Sequence, residues 1–240
     1  MQNNCLTIFN CRNNSYGSWL AAPREKKYFE GERVLCRQVL GSHLYCCYIN
    51  EDIIIDQSIF IAKLKDEFTS FYSTKYLVSL IASKLYSFYF RHKSNEFDAL
   101  FPKIKIGEFG DLPICKIAID KQIFFIQKAD IMLDLNTQLQ EKKNKFQSRI
   151  KSNFAIENIS TKLESFYEHD FKTFVAELKK QKVSPTLKQQ DEWEEYFNSY
   201  KKEINDLQAE IRKTDAEIDQ MVYKLYELTD EEIRIVEGSV

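Results

Sequence analysis

Apolar positions along this chain of 240 residues keep one kind of spacing over the first half and another over the second. Between 33 and 61 they come as short runs rich in valine, isoleucine and leucine, broken by turn residues. That pattern predicts strands over 34–40, 44–49, 53–55 and 59–61, with turns at Gly41-Ser42 and over 50–52. A further apolar run at 6–9, set among asparagines, predicts an edge strand. Over 73–90 the spacing lengthens, and Tyr76, Leu77, Leu80, Ile81, Leu85, Phe88 and Tyr89 line one face of a helix that packs on the sheet. Residues 101–106 return to alternation, with Lys103 and Lys105 on one face of a strand.

From 120 onward the pattern is helical. Phe125, Ala129, Met132, Leu139, Phe146 and Ile150 mark a seam, interrupted by Asn136 and Lys143, along a helix running to about 150. One more helix is predicted over 156–182, ahead of Ser184-Pro185. Then Trp193, Phe197, Tyr200, Ile204, Leu207, Ile211, Thr214, Ile218, Met221, Leu225 and Leu228 recur in steps of four and three. This is a heptad seam of about five repeats, with Thr214 its one polar position. So long a helix with charged flanks needs a partner. The seam over 125–150, paired antiparallel within the chain, is one candidate, and a second protein or a second copy is the other. The expected fold class is a mixed α/β domain over 1–120, followed over 121–240 by an all-helical segment with a long antiparallel coiled coil.

Composition narrows the function. A hydrophobic fraction of 44% supports a real core, and a net charge of -2 provides no global basic field. A nucleic-acid face would have to be local. Cys5, Cys11, Cys36, Cys46, Cys47 and Cys115 show no C-x-x-C spacing, and no positively charged leader precedes them. They read as reduced thiols of a cytoplasmic protein. His43, His92 and His169 form no zinc-type pair with a cysteine, so no metal is expected. The apolar run over 76–90 is broken by Lys84 and too short to span a bilayer.

The local chemistry lies in the stretch 14–39. Arg24, Lys26 and Lys27 flank Tyr28 and Phe29 in a loop freed by Gly17 and Gly31, and the strand beyond carries Arg33, Arg37 and Gln38. Basic side chains interleaved with aromatics can grip phosphates and reach base edges; a solvated surface loop has the same composition. Arg91 and Lys93, at the end of the 73–90 helix, either complement its dipole or touch phosphate.

The run Tyr16-Gly17, Trp19-Leu20-Ala21-Ala22-Pro23-Arg24, Phe29-Glu30-Gly31, Arg33-Val34-Leu35 and Arg37-Gln38 resembles the opening of the TaqI-like C-terminal specificity domain. The likeness continues through Asp56-Gln57-Ser58-Ile59-Phe60, the helix over 77–89, Phe101-Pro102-Lys103-Ile104 and Asp111-Leu112-Pro113-Ile114, and it closes over 218–233. In that family the domain is the target recognition region of combined restriction and adenine-methylating (type IIG) enzymes, related to type I specificity subunits. The resemblance implies a double-stranded DNA ligand and a methyltransferase or endonuclease partner, fused or bound. Contacts are expected from Arg24, Lys26, Lys27, Arg33, Arg37, Gln38, Arg91 and Lys93. The family's catalytic Asn/Asp-Pro-Pro-Tyr/Phe motif has no counterpart, since Pro23, Pro102, Pro113 and Pro185 are all isolated, and there is no Gly-x-Gly cofactor turn. Glu25-Lys26-Lys27 and Glu141-Lys142-Lys143 have the Glu-x-Lys form of nucleases without the converging acids. The expectation is a specificity part with no catalysis and no cofactor of its own. A coiled-coil adaptor that binds protein is the alternative.

Overall fold

In the computed structural model the described residues are 25–39, 41, 43–55, 58–93 and 103–238. The short apolar runs form β1 (Arg33–Arg37), β2 (Cys46–Ile49) and β3 (Ile59–Ala62). They make one antiparallel sheet in the order β2-β1-β3. Register places Leu35 opposite Cys47 and Ile61, and Cys36 opposite Cys46 and Phe60. Alternation therefore sends Cys36 and Phe60 to one face, where they pack with Leu44, Ile81, Phe90 and Ile104. Leu35, Cys47, Ile49, Ile59 and Ile61 point to the other face, covered by Ile53 and Ile55. The expected strand at 53–55 joins no ladder; the Arg33 guanidinium holds the Glu51 and Ile53 carbonyls, and the segment lays its isoleucines over the sheet. The expected edge strand at 6–9 lies outside the described residues.

The cysteines depart from expectation. Cys36 and Cys46 face each other directly across β1 and β2, with Cα atoms 4.3 Å apart, and are joined as a disulfide. Cys47 and Cys115 are free, and burial pushes the Cys47 thiol up to about 12, which removes it as a nucleophile at neutral pH.

Helices α1 (Thr74–Ile81), α2 (Lys84–Lys93), α3 (Ile106–Gly110), α4 (Ile123–Phe154), α5 (Thr161–Glu164), α6 (Phe171–Lys180), α7 (Leu187–Leu225) and α8 (Asp230–Gly238) follow. The single helix expected over 73–90 is two. Ser83 turns its hydroxyl back to the Leu80 carbonyl (2.7 Å), and the freed Lys84 N–H donates to Asp219 Oδ1 (2.9 Å), so a carboxylate far along the chain caps α2. Asp219 is buried among Lys84, Asp215, Tyr223 and Glu237. Burial outweighs the Lys84 backbone N–H and ammonium, and its carboxyl rises to about 7. At 103–110 the expected strand reduces to one bridge, Val39 with Lys103, before α3 begins.

The chain groups into two compact units, the described residues of Met1–Met132 with Thr214–Val240, and Leu133–Lys213. In the first, Tyr76, Leu80 and Tyr86 pack with Phe125, Ile218 and Val222, and the Tyr76 and Phe125 rings meet edge-on at 5.2 Å. Lys128 pairs with Glu217 at 2.5 Å. In the second, Phe146 is the hub. Its ring lies 3.6 Å from Phe166 and 5.6 Å from both Tyr196 and Tyr200. Lys142 pairs with Glu203. Within each unit, then, earlier residues of α4 meet later residues of α7, an antiparallel arrangement.

The predicted seam is largely buried: Phe197, Tyr200, Ile204, Ile211 and Ile218 are core residues, and Thr214 is buried with them. The helix expected over 156–182 is broken into α5, a 3-10 turn at Phe166–Glu168, and α6, whose first turn Asp170 caps by accepting the Thr173 N–H (2.8 Å). The seam's last position, Leu228, falls past the end of α7. Glu227 takes φ +56°, while the Leu228 N–H donates to the Tyr223 carbonyl and the Glu227 N–H to that of Lys224, a Schellman closure with a glutamate in the usual glycine place.

Candidate nucleic-acid interface

Positive charge collects at both ends of β1. At its start, Gly31 adopts φ +67° and turns its carbonyl toward the strand. Arg33 is fully buried; its guanidinium donates to the carbonyls of Gly31 (2.6 Å), Glu51 (2.6 Å) and Ile53 (3.4 Å). A buried guanidinium needs carbonyls to meet its charge, and the Glu51 and Ile53 acceptors clamp the 51–53 chain over the sheet. The expectation that Arg33 meets DNA is therefore not supported by its placement: it is a brace, out of reach of any ligand.

Lys26 and Lys27 stand on a 3-10 turn, Lys26–Phe29, anchored by the buried Phe29. Lys26 pairs with half-exposed Glu30 at 2.6 Å, and Lys27 with exposed Glu25 at 2.5 Å. The hydrogen bond to Glu25 and its charge hold the Lys27 ammonium above the usual lysine range. Such exposed pairs are weak and exchange readily for another anion. Lys63 joins them: its ammonium donates to the carbonyls of Lys27 and Glu30, both at 3.0 Å. Nothing in the sequence points to Lys63, because it follows β3, over thirty residues along the chain.

At the other end of β1, the Arg37 guanidinium lies 5.4 Å from the centre of the Tyr45 ring. Gly41 makes room for that ring, since a Cβ there would come within 2.6 Å of it. Arg91, on the last turn of α2, donates to the Gly41 carbonyl at 3.3 Å. Two residues on, Lys93 donates to the Tyr89 hydroxyl (2.8 Å), with its ammonium 5.0 Å from that ring's centre. That hydrogen bond holds the Lys93 ammonium above the usual range, whereas burial lowers the pKa of nearby His43. Gln38 is fixed by its backbone, the N–H donating to Ser58 and the carbonyl accepting from Ile104. Its side chain is half-exposed.

The structure thus brings Arg37 to the Tyr45 ring and Arg91 to the Gly41 carbonyl, with Gln38 next to Arg37 along the chain and Lys93 on the same turn as Arg91. It sets Lys26 and Lys27 on the turn that leads into the opposite end of β1, a strand that spans roughly 13 Å at 3.3 Å per residue. Arg24 lies outside the described residues. Tyr45, expected within a strand, lies just before β2 and is the aromatic partner of Arg37. Guanidinium and ammonium groups beside aromatic faces hold phosphates and stack on bases; among the described residues there is no cluster of His, Cys, Asp and Glu able to hold a metal ion. No described helix is long and apolar enough to cross a membrane.

The first unit thus carries a small antiparallel sheet with cations beside aromatic rings at the Arg37 end of β1. Comparison with known families makes this specific. Residues 7–114 match the TaqI-like C-terminal specificity domain, and residues 118–222 match a domain of unknown function (DUF8810). The match over 7–114 supports a TaqI-like specificity domain at the front of the chain and, at the level of that family, DNA specificity in restriction-modification. No curated protein and no solved structure matches the chain.

Proposed function

We propose that this chain is the sequence-specific duplex DNA recognition module of a restriction-modification system, positioning a separate or fused adenine methyltransferase or endonuclease on its target. Residues 1–120 read the duplex, and residues 121–240 are the helical spacer, with α4 and α7 as an antiparallel coiled coil toward the catalytic partner. Arg37, Gln38, Arg91 and Lys93 form the main contact set; Lys26, Lys27 and Arg24 reach the backbone further along. Phosphate contacts fix register, and one of Arg37 or Gln38 reads a base edge. The chain performs no chemistry by itself, needs no cofactor, and works in the cytoplasm. The observation that carries this reading is the match over 7–114, which contains the basic and aromatic residues gathered at the Arg37 end.

Binding to fluorescent random-sequence duplexes, followed by anisotropy against salt, tests it. The logarithm of affinity should fall linearly with the logarithm of salt, by roughly 0.9 for each phosphate engaged. Duplex anisotropy unchanged at low salt would overturn it. The adaptor reading draws on one observation: Phe124 is 63% exposed and Ile123 is 48% exposed at the start of α4, an apolar surface fit for a protein. In the recognition module the same surface docks the methyltransferase partner. Homodimerisation through α7 would be seen in the molar mass of the free chain in solution.

A further inference from the structure

We propose that the first unit also holds a receptor site for one unstacked nucleobase, in the aromatic cavity beside α2; this rests on the DNA reading above. The cavity measures about 460 Å3 and is lined by Phe88, Tyr89 and Leu228, by the facing pair Tyr86 and Tyr226, and by His92 and Lys93. That volume falls within the range of sites for small planar ligands.

Its hydroxyl groups are already engaged. Tyr86 and Tyr226 each place their hydroxyl 2.7 Å from the Pro113 carbonyl, and Tyr226 also accepts the Cys115 N–H at 3.1 Å. With those groups satisfied, the walls offer aromatic and aliphatic surface, which holds a planar ring by stacking and shape and is tolerant of base identity. The last turn of α2 adds charge. His92 packs against Phe88 with ring centres 4.3 Å apart, and Lys93 is hydrogen-bonded to Tyr89. Glu108 and Asp111 of the α3 end also face Lys93, so the edge of the cavity is mixed rather than purely basic, and they help keep the ammonium protonated.

An aromatic ring tied to a single negative charge suits both features: the ring enters the cavity and the phosphate meets Lys93. A partner protein's aromatic side chain would use the cavity alone. Continuity favours the nucleotide, because the turn that bears Lys93 also bears Arg91, whose guanidinium touches the Gly41 loop of the proposed duplex face.

The test uses the full chain with a single-stranded decamer carrying a central 2-aminopurine, and a random duplex in parallel. Saturable change in 2-aminopurine emission is expected, competed by deoxyadenosine monophosphate. Filling the cavity with Leu228→Trp should weaken single-strand binding by at least about fivefold while duplex affinity stays within about twofold. If that variant unfolds, Phe88→Leu removes a stacking ring at nearly constant volume and should give the same separation.

Single-strand affinity unmoved by a folded variant overturns the site, as does competition by N-acetylphenylalaninamide but not by the nucleotide, which assigns the cavity to a protein side chain. Duplex binding with a silent 2-aminopurine also overturns the site and leaves the duplex reading standing. Loss of duplex binding alone sinks the duplex reading instead.

Discussion

Arg33 and Arg37 stand on one face of the same strand, four residues apart, the first fully buried and the second half-exposed. What separates them is the chain that passes over each. At the Arg33 end, three carbonyls converge on the guanidinium, so the charge is locked into the fold. At the Arg37 end, a glycine leaves room for a tyrosine ring, and the guanidinium lies against an aromatic face that water and ligand can share. The same residue type is a brace in one place and a candidate contact in the other, and backbone acceptors decide which.

Substitutions should separate the two ends. Arg33→Met keeps the bulk but loses two short charge-assisted hydrogen bonds; at about 1.5–3 kcal/mol each, the unfolding free energy in urea should fall by about 4 kcal/mol. Duplex affinity per folded molecule should not change. A comparable loss of affinity would make Arg33 a contact after all.

Asp219 poses the same question with the sign of charge reversed. Its carboxyl is raised from 3.8 to about 7 in the folded chain, so the folded state holds the proton more tightly than the unfolded one. The stability this contributes is complete below about pH 4 and is lost as pH rises through 7, on the order of 3 kcal/mol at 1.36 kcal/mol per unit with some allowance for relaxation. Asp219→Asn keeps an oxygen for the Lys84 N–H and cannot ionise. Denaturant midpoints from pH 4 to pH 8 should show a downward slope in the wild type that the variant lacks; equal slopes would remove Asp219 as the cause.

At the Arg37 end, Arg37→Ala and Arg91→Ala should each lower duplex affinity by about 1 kcal/mol, near fivefold, with thermal stability nearly unchanged. Where the arginine holds a phosphate, its removal should flatten the salt slope by about one. A weakening confined to particular sequences would mark a base reader. Gly41→Ala, which crowds the Tyr45 ring, should reproduce about half of the Arg37→Ala effect without touching any charge. The smallest change is expected of Lys26→Gln with Lys27→Gln, roughly twofold at low salt, because both ammonium groups already have glutamate partners.

Much of the architecture is legible in the order of residues. β1, β2 and β3 lie within or within one residue of the predicted runs, and the seam on α7 is buried largely where heptad spacing puts it. The failures share a cause. The 73–90 helix divides because Asp219 offers a cap from a distant helix, 51–53 is held over the sheet because Arg33 binds its carbonyls, and Cys36 meets Cys46 because of strand register. Periodicity reports which face a residue presents; it carries no information about what arrives opposite that face from far along the chain.

The candidate site divides the same way. Local sequence sufficed to mark Lys26 and Lys27 as cations beside Tyr28 and Phe29, and Arg37 and Arg91 as candidate contacts on a strand and a helix end, because charge, turn residues and alternation are properties of neighbours. Which cation is buried, which ring it meets and that Lys63 joins Lys26 and Lys27 were decided only when β1, the Gly41 loop and α2 came together. Hydrogen-bond satisfaction in the interior depends on carbonyls supplied by other segments, and that is set by tertiary contacts alone.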